Sequence, residues 1–186
     1  MIKTKKDLRE YILADESRYG KRKPALLGWF FGDEAYMTLK FLKRLRYTEY
    51  YFNTLNKKNP FKLLRFCWSF FLYRRMWDKY KLHVPLNVVG PGLYIPHRAG
   101  GVYMNAKSVG KNFIISSGCV LGAKGDADNI PSIGDNVECC IGSMVIGKVN
   151  VGSDSIIAPN SVVIKDIPPG GVIVSGVPAI VIKKKE

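Results

Sequence analysis

The chain is poor in the residues that usually announce chemistry. Its 186 residues hold two histidines, His83 and His97, and four cysteines. The cysteines, Cys67, Cys119, Cys139 and Cys140, form no CxxC pair and no zinc-finger spacing, so no metal is expected. A reducing cytosol suits free thiols of this kind. Long hydrophobic runs are missing too. The stretches "ALLGWFFG" and "FCWSFFLY" are 8 residues each, against roughly 20 needed to span a bilayer. The opening "MIKTKKDLRE" has no apolar core, so no export is expected. Acidic residues are scarce, 15 against 29 Lys and Arg, which leaves a net charge of +14.

That charge is unevenly spread. Residues 1–82 hold 20 Lys/Arg and 8 Asp/Glu, together with 19 of the 22 aromatic residues; residues 83–186 hold 9 and 7. Two kinds of sequence are joined near Lys81. The first reads as helices. Thr4-Lys5-Lys6-Asp7 has the form of a capping box opening a helix to about Ala14. Asp33 can cap a second periodic segment, and Asn59-Pro60 opens a third that runs to about Tyr80. The aromatic stripe of that last helix is read as core or subunit contact. The basic helices could also meet an anionic lipid surface as a peripheral contact. Nucleic acid is not an expected partner.

From residue 83 the helical signals stop, and Gly, Pro and Asn interrupt every few residues. The interruptions are periodic. Ile133, Cys139, Val145, Val151, Ile157 and Val163 fall six apart. Four places after each stand Val137, Ser143, Val149, Ser155, Ser161 and Ile167, all small or aliphatic. Val109, Ile115 and Leu121 keep the same step upstream, as do Val89 and Ile95. A six-residue repeat of this type predicts a parallel β-helix, with three hexads of about 18 residues per triangular coil. Both series point inward and stack on the coils above and below. The turns "GKN", "GDN" and "GSD" supply residues that tolerate left-handed backbone. Insertions in such a solenoid map to loops, often on the binding face. Two stretches break the period: "PHRAGGVYMNAKS", which carries His97, and the polar "GAKGDADNIPS" of residues 122–132. If they project to one edge, they form a site.

The order of parts resembles the serine acetyltransferase group of hexapeptide-repeat acyltransferases. The likeness rests on "GPGLYIPHRAGG", "SSGCVLGAKG", "IGSMVIGKVNVGSDSIIAPNSVVIKDIPPG" and "SGVPAIVI", across roughly residues 83–182. It implies an α+β fold, with a helical domain (1–82), a left-handed parallel β-helix (83–182) and a basic tail (183–186). It also implies homotrimers or paired trimers with sites between neighbouring β-helices, acetyl-CoA as donor, and His97 as the general base. An imidazole can take the proton of a hydroxyl as it attacks a thioester, typically worth about 10²–10⁴ in rate. The places matching the family's CoA contacts are Gly122, Gly142, Ala158, Pro159 and Gly176, with Lys165 and Lys183 as cations for the phosphates. The backbone N–H of Gly122 or Gly142 is the expected oxyanion donor.

The departures from the family pattern point elsewhere for the acceptor. The family's orienting Asp is replaced by Leu82, the Asp before the histidine by Pro96, and a serine-holding Arg-His pair by Asn129 and Ile130. Free serine brings two charges that a pocket must pair. Sequence therefore favours an acceptor hydroxyl on a sugar, in exopolysaccharide, capsule or O-antigen synthesis at the inner face of the membrane. Tyr94, Tyr103, Asn105, Asp126, Asp128 and Asn129 are the acceptor-binding candidates. The partner of His97 is left open between a backbone carbonyl, Asp126, Asp128 and water. A cytoplasmic serine O-acetyltransferase is the alternative, and a catalytically weak scaffold docking through the basic helices is the third reading. Carbonic anhydrases on this fold need three histidines, and sugar nucleotidyltransferases need an added nucleotide domain; neither fits.

Overall fold

The computed structural model describes residues 1–20, 25–56 and 58–184. Among the described residues four helices come first: α1 (Lys5–Ser17), α2 (Ala25–Phe30), α3 (Glu34–Asn53) and α4 (Pro60–Tyr80). Their starts follow the expected chemistry. Thr4 and Asp7 form the reciprocal capping box, Asp33 accepts from the Tyr36 N–H, and Asn59 accepts from the Phe61 and Lys62 N–H groups ahead of Pro60. α4 ends where Lys81 turns left-handed at φ 56°.

Thirteen short strands follow and wrap into three parallel sheets, the faces of a left-handed β-helix. The first face stacks β1 (Leu82–His83), β2 (Val102–Met104), β5 (Cys119–Gly122), β8 (Met144–Ile146) and β11 (Val162–Val163). The second stacks β4 (Ile114–Ile115), β7 (Glu138–Cys139), β10 (Ile156–Ile157) and β12 (Val172–Gly176), and closes with the antiparallel β13 (Ala179–Lys184). The third stacks β3 (Ser108–Val109), β6 (Ser132–Ile133) and β9 (Asn150–Val151). Ser132 pairs with Asn150, Glu138 with Ile156 and Met144 with Val162, so a regular coil is 18 residues. Val120 pairs with Met144, and the six extra residues of that coil fall within the 122–132 loop.

The stacking explains the hexad. Both inward series, Ile133 to Val163 and Val137 to Ile167, are buried throughout, none above 5% exposed. The three inward serines keep partners: Ser143 Oγ lies 3.4 Å from Cys119 Sγ, Ser155 Oγ donates to the Gly152 carbonyl, and Ser161 Oγ to that of Pro159. At the corner between the third and second faces, Asn112, Asn136 and Asp154 take φ of 54°, 55° and 65°. Their side chains form a ladder, Asn112 Nδ2 to Asn136 Oδ1 at 2.9 Å and Asn136 Nδ2 to Asp154 Oδ1 at 2.8 Å. A short polar side chain is needed there both for the backbone angle and for the ladder.

The helical part and the β-helix share one core: Phe41, Leu42, Leu45 and Tyr73 pack in the same cluster as Leu82, Leu93 and Ile95. Arg46, fully buried, makes the polar seam. Its guanidinium meets Asp15 at 2.8 Å and Glu49 at 3.1 Å, and donates to the carbonyls of Val89 at 2.9 Å and Gly90 at 2.7 Å. Asp15 in turn accepts from the Gly92 and Leu93 N–H groups, and Glu49 from that of Asn87. One face of α4 is core, while Phe61, Leu64 and Trp68 stand exposed on the other, where the expected core packing is not found within the chain. β13 pairs Lys183 and Lys184 with Ile173 and Val172; Lys185 and Glu186 lie outside the described residues.

Replacing Arg46 by Ala leaves Asp15 and Glu49 buried without their cation. Urea unfolding should show a loss of about 3–5 kcal/mol, whereas a surface change such as Lys6→Ala should stay within about 0.5 kcal/mol.

Candidate active site

His97 stands on an enlarged turn, residues 96–101, at the corner where the chain passes from the second face to the first. The turn is fastened on all sides. Gly101, at φ 74°, donates to the Arg98 carbonyl at 2.9 Å, and the Gly118 N–H of the next coil donates back to Gly101 O at 2.7 Å. Ser117 Oγ accepts from Gly100 N at 2.5 Å. On the incoming side, Tyr19 OH bridges the N–H and the carbonyl of Ile95 at 3.1 and 3.3 Å. Burial pushes that phenol well above its ordinary range, so it stays a neutral donor.

The acid that faces the imidazole comes from the helical part. Glu34, the first residue of α3, places Oε2 3.3 Å from His97 Nδ1 and accepts from the Arg98 N–H at 2.7 Å through Oε1. The Arg98 N–H is the chief cause of its lowered pKa; partial burial opposes this, and His97 adds to it. The helix N-terminus favours the same charge. A carboxylate facing Nδ1 favours the tautomer that carries its proton there, which leaves Nε2 with a lone pair. Nε2 has no partner among the described residues, and the imidazole is 73% exposed. Such an arrangement can take a proton from a hydroxyl presented at the corner. Within the chain the group that faces His97 is thus Glu34 rather than Asp126, Asp128 or a backbone carbonyl, and the Leu82 position is filled by an inward core residue.

Along the same corner, below the turn, run Gly118, Gly142 and the Ala158-Pro159-Asn160 turn, and Gly176 joins by donating to Ser161 Oγ at 3.2 Å. Four CoA candidates, Gly142, Ala158, Pro159 and Gly176, thus share an edge with His97. A side chain at Gly142 would strike Asn160 Oδ1, so the edge stays narrow there. The exposed Ile141 adds an apolar surface that no sequence signal singled out. Gly142 is corrected as an oxyanion donor, because its N–H already donates to the Ser117 carbonyl at 3.0 Å. Gly122 and Lys165 lie at the other end of the first face's strands. Lys183 lies on β13, at the edge of the second face.

The two period breaks do not meet within one chain. The His97 turn leads into the first face, while the 122–132 loop leads out of it toward the third. In that loop Asn129 is committed to structure. Its Nδ2 donates to the Lys124 carbonyl at 2.7 Å and its Oδ1 accepts from Lys148 N at 2.5 Å. Asp126 and Asp128 are exposed. Tyr94 is engaged by Tyr19, centroids 4.8 Å apart, and by Arg18. Tyr103, with Asn105 two residues on, flanks the turn's outgoing strand and lines a groove of about 210 Å³ with His83, Gly100, Gly101 and Cys119. His83 sits edge-on to Trp77 and 5.5 Å from the Tyr103 ring, and burial lowers its pKa, so it is neutral near pH 7. The larger cavity, about 900 Å³, lies along α3 among Tyr36, Lys40, Lys43 and Arg44, and no predicted site residue lines it. Among the described residues no cluster of His, Cys, Asp and Glu could hold a metal ion.

Comparison with known proteins gives one consistent direction. No family model matches the chain. It is 36% identical over 104 residues to the serine acetyltransferase of Mycobacterium tuberculosis, covering 55% of this chain and 45% of that protein. It is 34% identical over 98 residues to that of Staphylococcus aureus strain Mu50, covering 52% and 46%. Among solved structures, serine acetyltransferase from Brucella abortus in complex with coenzyme A superposes with a TM-score of 0.68 at 26% identity, over 97% of this chain and 68% of that one. The chain spans about half the length of the curated relatives it matches. It is similar to serine acetyltransferases in sequence and fold. The expectation of a sugar acceptor in polysaccharide synthesis is overturned by these relatives, which are serine acetyltransferases. It rested on the departures at Leu82, Pro96, Asn129 and Ile130.

Glu34→Gln keeps the hydrogen-bonding shape and removes the charge. It should lower kcat by on the order of 10² with little change in acetyl-CoA binding, read by steady-state kinetics. The pH sign follows from the lowered pKa. The native state binds fewer protons than the unfolded chain, so Glu34 stabilises at neutral pH and that contribution is lost as pH falls through the carboxylate range. Thermal melts of Glu34→Gln should therefore fall less steeply than wild type below about pH 5.

Proposed function

We propose that the chain is a cytoplasmic serine O-acetyltransferase that moves the acetyl group of acetyl-CoA to the hydroxyl of L-serine. The observation that carries this reading is the Glu34 carboxylate 3.3 Å from His97 Nδ1, with Nε2 open at an exposed corner. Nε2 takes the serine hydroxyl proton as the oxygen attacks the thioester carbonyl. The tetrahedral oxyanion collapses, the C–S bond breaks, and the CoA thiolate leaves with the proton that His97 took. Glu34 stabilises the imidazolium formed between those steps. Gly122, at the other end of the first face, remains the oxyanion-donor candidate as a contribution from a neighbouring chain, as does Lys165 for the phosphates; the corner from Gly142 to Gly176, with Lys183, is the proposed CoA track.

The acceptor's two charges need partners of both signs. The loop residues Asp126 and Asp128 suit the ammonium, and Lys124 beside them suits the carboxylate. Because this loop and His97 stand at different corners of one coil, a complete site needs the loop of a neighbouring chain. A cyclic homotrimer provides that contact three times over by one rotation. Tyr103 and Asn105 would line the acceptor's side of the cleft.

The test is thiol release from acetyl-CoA by the purified protein with L-serine, with O-acetylserine identified by mass. Serine-dependent turnover is expected, and His97→Ala should reduce it by at least about 10³. Absence of serine-dependent release, or turnover untouched by His97→Ala, would sink the assignment.

A further inference from the structure

Helix α4 carries two apolar faces, and packing within the chain accounts for one. Ser69, Tyr73 and Tyr80 are buried, with Met76 and Trp77 packed beside the core. At about 100° per residue, Phe61, Leu64, Trp68 and Phe71 fall within an arc of about 80° on the opposite side. They are 82%, 68%, 62% and 49% exposed. The rings of Trp68 and Phe71 stack at 5.8 Å. An amphipathic surface helix turns one stripe inward and leaves the other polar; here the outer stripe is aromatic.

Its charge is strongly positive. From Thr54 to Tyr80 the sequence carries Lys57, Lys58, Lys62, Arg65, Arg74, Arg75 and Lys79 against a single acid, Asp78. All three arginines are held to aromatic rings of this region. Arg65 lies 4.3 Å over Tyr51 and bonds its hydroxyl at 2.8 Å, Arg74 lies 4.2 Å over Trp77, and Arg75 lies 5.8 Å from the Phe71 centroid. A second copy packed on this stripe would bring the same excess of cations to a self-complementary contact, with Asp78 the one carboxylate each helix offers against them. A bilayer of anionic phospholipid meets both features at once. Phe, Leu and Trp enter the headgroup–acyl boundary, and Lys and Arg stay level with the phosphates. No helix among the described residues is long and apolar enough to cross a membrane, so the contact is peripheral. We infer that α4 docks the protein on an anionic phospholipid surface through Phe61, Leu64, Trp68 and Phe71.

The test is flotation of the full chain with vesicles of phosphatidylcholine alone and with added phosphatidylglycerol, together with tryptophan emission. The expected result is binding to the anionic vesicles, with a blue shift, that weakens as salt rises. Leu64→Ser with Trp68→Ser should weaken that binding at least about tenfold. Both sites are exposed, so circular dichroism should be unchanged. Lys62→Glu with Arg75→Glu should erase the preference for anionic over neutral vesicles. Serine-dependent thiol release should be unchanged in both variants, so loss of docking and failure of the enzymatic assignment are read separately. Equal flotation of wild type and the Leu64/Trp68 variant overturns the inference, as does equal binding to neutral vesicles. Absence of flotation overturns it too; if the same substitutions then abolish a concentration-dependent association seen by sedimentation, the stripe is a contact between copies.

Discussion

One buried cation organises the molecule. Arg46 joins α1 through Asp15, its own helix through Glu49, and the first coil of the β-helix through the carbonyls of Val89 and Gly90. Asp15 and Glu49 complete the seam by accepting from backbone N–H groups of residues 87–93. Apolar packing alone would hold α3 near the solenoid but allow it to slide by a turn. A charged group removed from water permits only the register in which its donors are met. Glu34 and Arg46 lie on the same helix, 12 residues or about 18 Å apart. Fixing Arg46 against Gly90 therefore fixes where the start of α3 falls, and that is beside His97.

The β-helix imposes a different kind of order. Each inward residue must fit the one a coil above and the one a coil below, so side-chain size at these places repeats with the coil. That is why the fold was legible from residue 83 onward. The hexad spacing, the inward series and the left-handed turns at Asn112, Asn136 and Asp154 all follow from one local rule applied again and again. The helix starts were legible for a similar reason, since a cap is a contact between residues three apart. His97 stood out because a titratable ring interrupted that regular pattern.

What the sequence did not reveal was every relation that crosses between the two parts. Glu34 is 63 residues from His97 and resembles any other acidic residue at a helix start. Its role appears only when α3 is laid on the first coil. Arg46 looked like one more cation among 20 in the helical region, yet it has no exposed surface at all. The outer face of α4 was hidden by the opposite effect. Aromatic residues occur all round that helix, so periodicity could not tell which were buried. Both period breaks are polar, but coil geometry sends them to different corners of one chain.

The position at Leu82 shows why the acid had to move. Leu82 pairs with Val102 on the first face and is fully buried among the core residues that join the helices to the solenoid. A carboxylate in that position would point into the apolar seam with no cation to meet it, at a cost of several kcal/mol. Glu34 instead approaches from outside the coil. It keeps 38% of its side chain in water and draws its second oxygen to the Arg98 N–H. The carboxylate that faces His97 is thereby carried by the helical part. Movement of α3 against the first coil must then alter that contact. Stability at the Arg46 seam and the setting of the His97 imidazole, remote in sequence, become two consequences of how one helix is seated.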